Sequence, residues 1–122
     1  MGLYAFKKHQ RLLKTVEFKF VFAQPYRISN HFFTVLARTN QREQARLGLV
    51  ISKKHIKQAT QRNHVKRLIR ESFRVYQHRL AGWDCVVLAK TEASQASNYD
   101  LLTAIARQWQ QLASQSFFDP DF

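Results

Sequence analysis

A chain of 122 residues with 45% hydrophobic content is the size of one domain with one core, and its net charge of +12 comes from 20 Lys or Arg against 8 Asp or Glu. The charge is uneven, because residues 1–79 hold 18 of the basic residues and only 3 of the acidic ones, so it reads as a local binding face for a polyanion. The single Cys85 rules out an internal disulfide, no apolar run nears the roughly 20 residues of a bilayer span, and Met1 to Lys14 lacks the apolar segment of a secretory signal; a cytoplasmic protein is expected.

Residues 1–14 carry Lys7, Lys8, Arg11 and Lys14 with no acid, and read as a basic arm of the kind often mobile until bound. Thr15 is placed to cap a short helix, Val16 to Ala23, with Glu17 in its first turn and Pro25 as its stop. A short strand can follow around Tyr26 to Ile28. The run from Phe32 to Ala37 is rich in β-formers, Arg46 to Ser52 reads as a further strand, and the polar link between them suggests an antiparallel pair.

Lys53 to Gln61 is a basic connection into a long amphipathic helix, about Gln61 to Leu80, which Gly82 ends. Its apolar side is Val65, Leu68, Ile69, Phe73, Tyr76 and Leu80, with Lys66, Arg67, Arg70 and Arg74 beside it. Asp84 to Lys90, with Cys85 as a small buried hydrophobe, is apolar enough to be central in a sheet, and its link to the preceding strand through the helix is a βαβ unit. Ser97 or Asn98 caps a last helix whose core side is Leu101, Leu102, Ile105, Trp109 and Leu112; a tail follows from Ser114. These elements give one α+β domain, a two-layer sandwich of about four strands and three helices, with a core near residues 15–113.

The chemistry points to binding. Between Lys53 and Arg79 there are nine Lys or Arg and only Glu71 against them, whereas a solvated helix face usually interleaves acids for i,i+4 support. The eight acids form no metal-binding motif, the five histidines lack metal-ligand spacing, and three glycines cannot make a phosphate loop. Phe18 and Phe22 lie one turn apart on the first helix, with Phe20 between them, and ten phenylalanines exceed what a small core readily absorbs. Phe18 and Phe22 can therefore either seal the helix onto the sheet or border a cleft for unpaired nucleotides.

Ser52-Lys53-Lys54 followed by Arg62-Asn63-His64-Val65-Lys66-Arg67-Leu68-Ile69-Arg70-Glu71-Ser72-Phe73-Arg74 closely resembles the signature of the bacterial ribonuclease P protein subunit. Arg11-Leu12-Leu13 with Glu17-Phe18-Lys19-Phe20-Val21-Phe22, Arg46-Leu47-Gly48-Leu49, and Asp84 to Lys90 resemble the same family's first helix, core strand and last strand. The resemblance implies a mixed sheet with a left-handed βαβ crossover, as in a ribosomal-protein-like sandwich, although strand twist alone favours the right-handed form. It implies a protein that holds a catalytic RNA and the single-stranded 5′ leader of precursor tRNA, with no active site or bound cofactor of its own and Mg²⁺ acting in the RNA. Carried over by position, Arg62, Asn63, His64, Lys66, Arg67, Arg70 and Arg74 would face the RNA subunit. Phe18, Phe22, Lys53 and Lys54 would serve the leader, and no membrane or obligate protein partner is implied.

One position departs from the family pattern: its usual Arg-Asn-Arg reads Arg62-Asn63-His64 here. With an unperturbed pKa near 6.5 a histidine is mostly neutral at pH 7, so one phosphate contact is expected to be absent or pH-dependent. The competing readings are a ribosomal or general RNA-binding protein without a nuclease partner, a self-sufficient ribonuclease using its histidines, and peripheral membrane binding by the basic helix. The last fits poorly, because the apolar face of that helix is needed for the core.

Overall fold

The structure, a computed structural model, describes residues 10–115. Its elements in chain order are α1 (Thr15–Ala23), β1 (Tyr26–Ser29), β2 (Phe33–Thr39), β3 (Arg46–Val50), α2 (Ala59–Tyr76), β4 (Trp83–Ala89) and α3 (Asn98–Ser114), with short 3₁₀ turns at Gln77–Leu80 and Thr91–Gln95. The four strands form one sheet in the order β1-β2-β4-β3. β1 and β2 form an antiparallel hairpin, β2 and β4 are antiparallel, and β3 and β4 are parallel with α2 as the crossover, so the sheet is mixed.

That order corrects one expectation: β2 and β3 are not a pair, because β4 lies between them. The reason is burial. In β4 every residue but Leu88 is fully buried, and a strand apolar on both faces is stable only at the centre of a sheet, where neighbours cover both edges.

The period-2 alternation of the strands divides the core. Phe33, Val35, Ala37, Cys85, Val87 and Ala89 point to the face covered by α2 and α3. Leu36 and Val86 point the other way, where Leu12, Val21, Phe18 and Leu88 complete a smaller cluster under α1. On α2, Val65, Ile69 and Phe73 are buried, and Phe73 meets Trp109 of α3 edge-on at 5.6 Å between ring centres. Trp109 is itself fully buried and donates its Nε1–H to Ser72 at 3.1 Å, which satisfies both polar groups between the helices. Burial also pushes the Cys85 thiol well above its usual range, which suits an inert core residue.

Boundaries shift modestly. α2 starts at Ala59, before the expected Gln61, and its last turn tightens into the 3₁₀ segment, after which Gly82 takes a positive φ of 89°. Ser97 is the cap of α3, accepting from the Asp100 N–H at 3.1 Å. Leu102, expected in the core, lies on the outer side of α3 at 36% exposure. At α1 the expected cap moves back one residue to Lys14, and the capping is done by Glu17, whose carboxylate accepts the N–H groups of Leu13 and Lys14 at 2.9 Å each.

The expected basic arm falls partly outside the described residues, which exclude Lys7 and Lys8. From Arg11 onward it runs beside β3: Leu12 donates to the Leu47 carbonyl at 2.8 Å and its side chain is buried. An ionic chain then locks this segment and α1 to the sheet. Arg46 of β3 grips the fully buried Asp84 of β4 through two hydrogen bonds, at 2.9 and 2.6 Å, and reaches Glu17 at 3.0 Å. Asn40 donates to the same Asp84 carboxylate at 2.7 Å.

The backbone N–H groups of Lys14 and Leu13, and then Arg46, hold the Glu17 carboxyl below its ordinary range. A depressed carboxyl stabilises the fold above its unfolded pKa, near 4.3, and that contribution disappears as pH falls through the lower folded value. Glu17→Gln is expected to lower stability by about 1 kcal/mol at neutral pH. In thermal melts the gap from the parent protein should close as pH drops below about 4; a gap that persists there would show that the ionised carboxylate is not the source. Asp84→Ala, which strands a half-buried Arg46, should cost about 3–5 kcal/mol.

Candidate RNA-binding surface

α2 sorts its polar residues by direction. Because Val65, Ile69, Ser72 and Phe73 face the core, Asn63, Lys66, Arg67, Arg70 and Arg74, at helical spacings of three and four, form one outward stripe. Asn63 and Arg67 are exposed, and Lys66, Arg70 and Arg74 are half-buried along their stems. Arg74 pairs with Glu71 one turn back, an exposed i,i+3 contact that holds little energy. No acid among the described residues pairs with Lys66, Arg67 or Arg70.

Two residues expected on this stripe have other partners. Arg62 turns back to donate to the carbonyls of Ile56 and Lys57, at 2.9 and 2.8 Å. It thereby closes the loop that displays Lys53, Lys54 and Lys57, all exposed, ahead of α2. His64 points toward α3, with its Nε2 2.7 Å from Asn98 Oδ1. The ring joins the two helix starts.

At the edge of β3, α1 and α2 approach each other from opposite faces of the sheet. The cleft between them has a volume of about 140 Å³, with Arg11, Lys66 and Arg70 above a floor of Phe18, Leu47 and Gly48. Burial in this cleft, followed by the charge of Arg11, pulls Arg70 below the ordinary guanidinium value. An anion seated here would offset both by favouring the charged guanidinium. Residues assigned on sequence to two different partners, Lys66 and Arg70 on one side and Phe18 on the other, therefore share one cleft.

The aromatic residues of α1 differ in their use. Phe18 is half-buried on the sheet and its ring centre is 6.3 Å from that of Phe22, which is 43% exposed. Phe20 faces another way, at 39% exposure, with the Arg38 guanidinium 3.9 Å over its ring and hydrogen-bonded to its carbonyl. Phe18 therefore seals the helix onto the sheet, and Phe22 presents an open face.

The sequence reading gave no role to Gly48, although a glycine inside a strand signals a close approach. A Cβ at that position would sit 2.7 Å from the Phe18 ring and 3.1 Å from Leu12 Cβ. Gly48 is therefore what lets Phe18 lie on the sheet. Arg46, Asp84 and Asn40 were also missed as positioning residues. A buried acid opening an apolar strand was the available signal for Asp84, but its partners are 38 and 44 residues away in sequence.

Among the described residues no group of His, Cys, Asp or Glu could hold a metal ion, and no helix is long and apolar enough to cross a membrane. The chemistry on display is cationic and aromatic, suited to phosphates and unpaired bases.

Comparison with known proteins converges on one family. The family model for ribonuclease P matches residues 6–113. The ribonuclease P protein component of Haemophilus influenzae strain PittGG is 46% identical over 105 residues, covering 86% of this chain and 88% of that protein. That of Photobacterium profundum is 44% identical over 113 residues, covering 93% and 96%. Among solved structures, the ribonuclease P protein of Staphylococcus aureus superposes with a TM-score of 0.77 at 27% identity, covering 85% of this chain and 94% of that one. The Thermotoga maritima protein gives 0.74 at 28% identity, covering 83% and 96%. The expected mixed four-stranded α+β fold and its three helices agree with these relatives, and the chain belongs to the bacterial ribonuclease P protein family.

Proposed function

We propose that this chain holds two RNAs at once: the catalytic RNA of ribonuclease P, on the stripe of α2, and the unpaired 5′ leader of precursor tRNA, at the α1 cleft. The observation that carries the reading is the continuity of Asn63, Lys66, Arg67 and Arg70 with the cleft floored by Phe18. Unneutralised cations repel one another until phosphates replace counterions, and binding to phosphates releases those counterions. Beside them Phe22 offers a stacking face that accepts any base, which suits a leader of variable sequence. The exposed Lys53 and Lys54, on the loop closed by Arg62, add cations where β3 ends.

On this reading the protein supplies position and electrostatics, the bond is cut in the RNA subunit, and Mg²⁺ acts there. The expected setting is the cytoplasm. The purified protein alone leaves precursor tRNA intact, and adding the RNA subunit at moderate salt yields one cut at the mature 5′ end. Cleavage by the protein alone would instead point to a protein active site, and an outcome indifferent to the RNA subunit would point to general RNA binding.

Substitutions divide the two surfaces. Phe22→Ala should weaken binding of leader-bearing substrate by roughly tenfold, matching about 1–3 kcal/mol per stacked base, and leave mature tRNA nearly unaffected. Gly48→Ala should act in the same direction, since it displaces the Phe18 ring. Arg67→Ala should loosen the RNA subunit and reduce the salt slope by about one counterion. Equal losses for substrates with and without a leader, measured by equilibrium binding, would contradict the division.

His64→Arg tests the departure from the family pattern. It removes the Asn98 contact and adds a permanent cation, so the slope of log K against log salt should steepen by about one counterion. An unchanged slope would place position 64 outside the phosphate contacts.

A further inference from the structure

The start of α2 carries part of the outward stripe, yet it lacks the local devices that hold a helix start. Its N-cap, Gln58, makes no side-chain cap hydrogen bond, and its first turn contains no acid. α1, by contrast, has Glu17, and α3 has Ser97 with Asp100. The first N–H groups of a helix have no partner within it, so a start without a cap frays unless something else holds it.

A lateral seam does the holding. Three side chains around the entry to α2 reach the connection between β4 and α3, in matching order along both segments. His55 Nδ1 lies 2.9 Å from Thr91 Oγ1, Gln61 donates its side-chain amide to the Ser94 carbonyl, and His64 Nε2 is 2.7 Å from Asn98 Oδ1. An amide oxygen only accepts, so the His64 N–H is the donor. The connection is itself firm, because Ala93 is buried and donates to the Lys90 carbonyl at 3.0 Å, and Ser97 caps the helix that follows. His64 and Lys66 are two residues apart on a helix and so point to opposed sides. The seam therefore steadies α2 from the side away from its cleft and takes none of the stripe's cations.

We propose that Asn98 is a positioning residue for the RNA subunit: by holding the His64 ring it keeps the first turns of α2 formed, so that Asn63 and Arg67 are presented already ordered. The proposal rests on the reading that the α2 stripe meets that RNA. A segment that must be ordered on binding gives up affinity to the ordering, and a segment ordered beforehand does not. Asn98 acts through His64 and touches no RNA itself.

The test is equilibrium binding of the RNA subunit to the full-length protein, well below its melting temperature, with amide hydrogen exchange of the free protein alongside. Asn98→Ala removes an exposed side chain and spares the core. It should speed exchange at Asn63 and His64 and leave Ile69 unchanged. The RNA subunit should bind roughly fivefold more weakly, as for one hydrogen bond. The slope of log K against log salt should keep its parent value, because no phosphate contact is lost. In a His64→Ala background the same change should leave affinity where it was. Arg67→Ala is the control: if it too binds like the parent, the stripe does not meet the RNA subunit and the functional reading itself fails. With Arg67→Ala weakened, the positioning role is overturned if Asn98→Ala keeps the parent affinity, if its loss is the same with and without His64, or if its salt slope falls.

Discussion

Three charged side chains from three elements set the geometry on which the RNA surface depends. Arg46 reaches Asp84 within the sheet and Glu17 at the start of α1, and Glu17 in turn caps the backbone that arrives from the basic arm. α1 is only nine residues long, too short to be stable by itself. It contributes little to the main core, since Val21 is its one fully buried residue. The ionic chain therefore does what apolar burial cannot, and fixes both the position and the rotation of α1. Phe18 then falls over Gly48, Phe22 stays open, and Arg11 is carried to the cleft beside Arg70.

The same economy explains the charge distribution. An acid within reach of Lys66, Arg67 or Arg70 would stabilise the free protein and compete with phosphate. Two of the three acids in the basic half are used elsewhere: Glu17 is taken by Arg46 and the arm, and Glu71 by Arg74. Lys66, Arg67 and Arg70 are left without an acid partner on one side of α2. α2 supplies this because a helix separates its core side from its outer side by residue spacing alone, and the β3-α2-β4 crossover aims the outer side at the sheet edge where α1 ends its approach.

His64 shows how one substitution redistributes such a surface. At that position the side chain reaches Asn98 and ties the start of α2 to the start of α3, so a residue of the basic motif serves the packing of two helices. Arg62 does likewise for the loop before α2. Part of a motif that reads as nucleic-acid contacts is thus scaffold, and Asn63, Lys66, Arg67 and Arg70 are the motif residues left on the outward stripe.

The sequence by itself determined the element types, the long basic helix, a cap for α3 at Ser97 or Asn98 and the family, because periodicity, caps and a long motif are all local in the chain. It also located the charge, which is a matter of counting. Only the tertiary structure decided that β4 separates β2 from β3, that Leu102 faces outward, that Lys66 and Arg70 share a cleft with Phe18, and that Asp84, Arg46 and Glu17 are one unit. Strand order, helix rotation and ion pairing follow from contacts between residues tens of positions apart. Such contacts leave no periodic trace in the chain, and they are chosen by which arrangement buries the most apolar surface while leaving the fewest charges without partners.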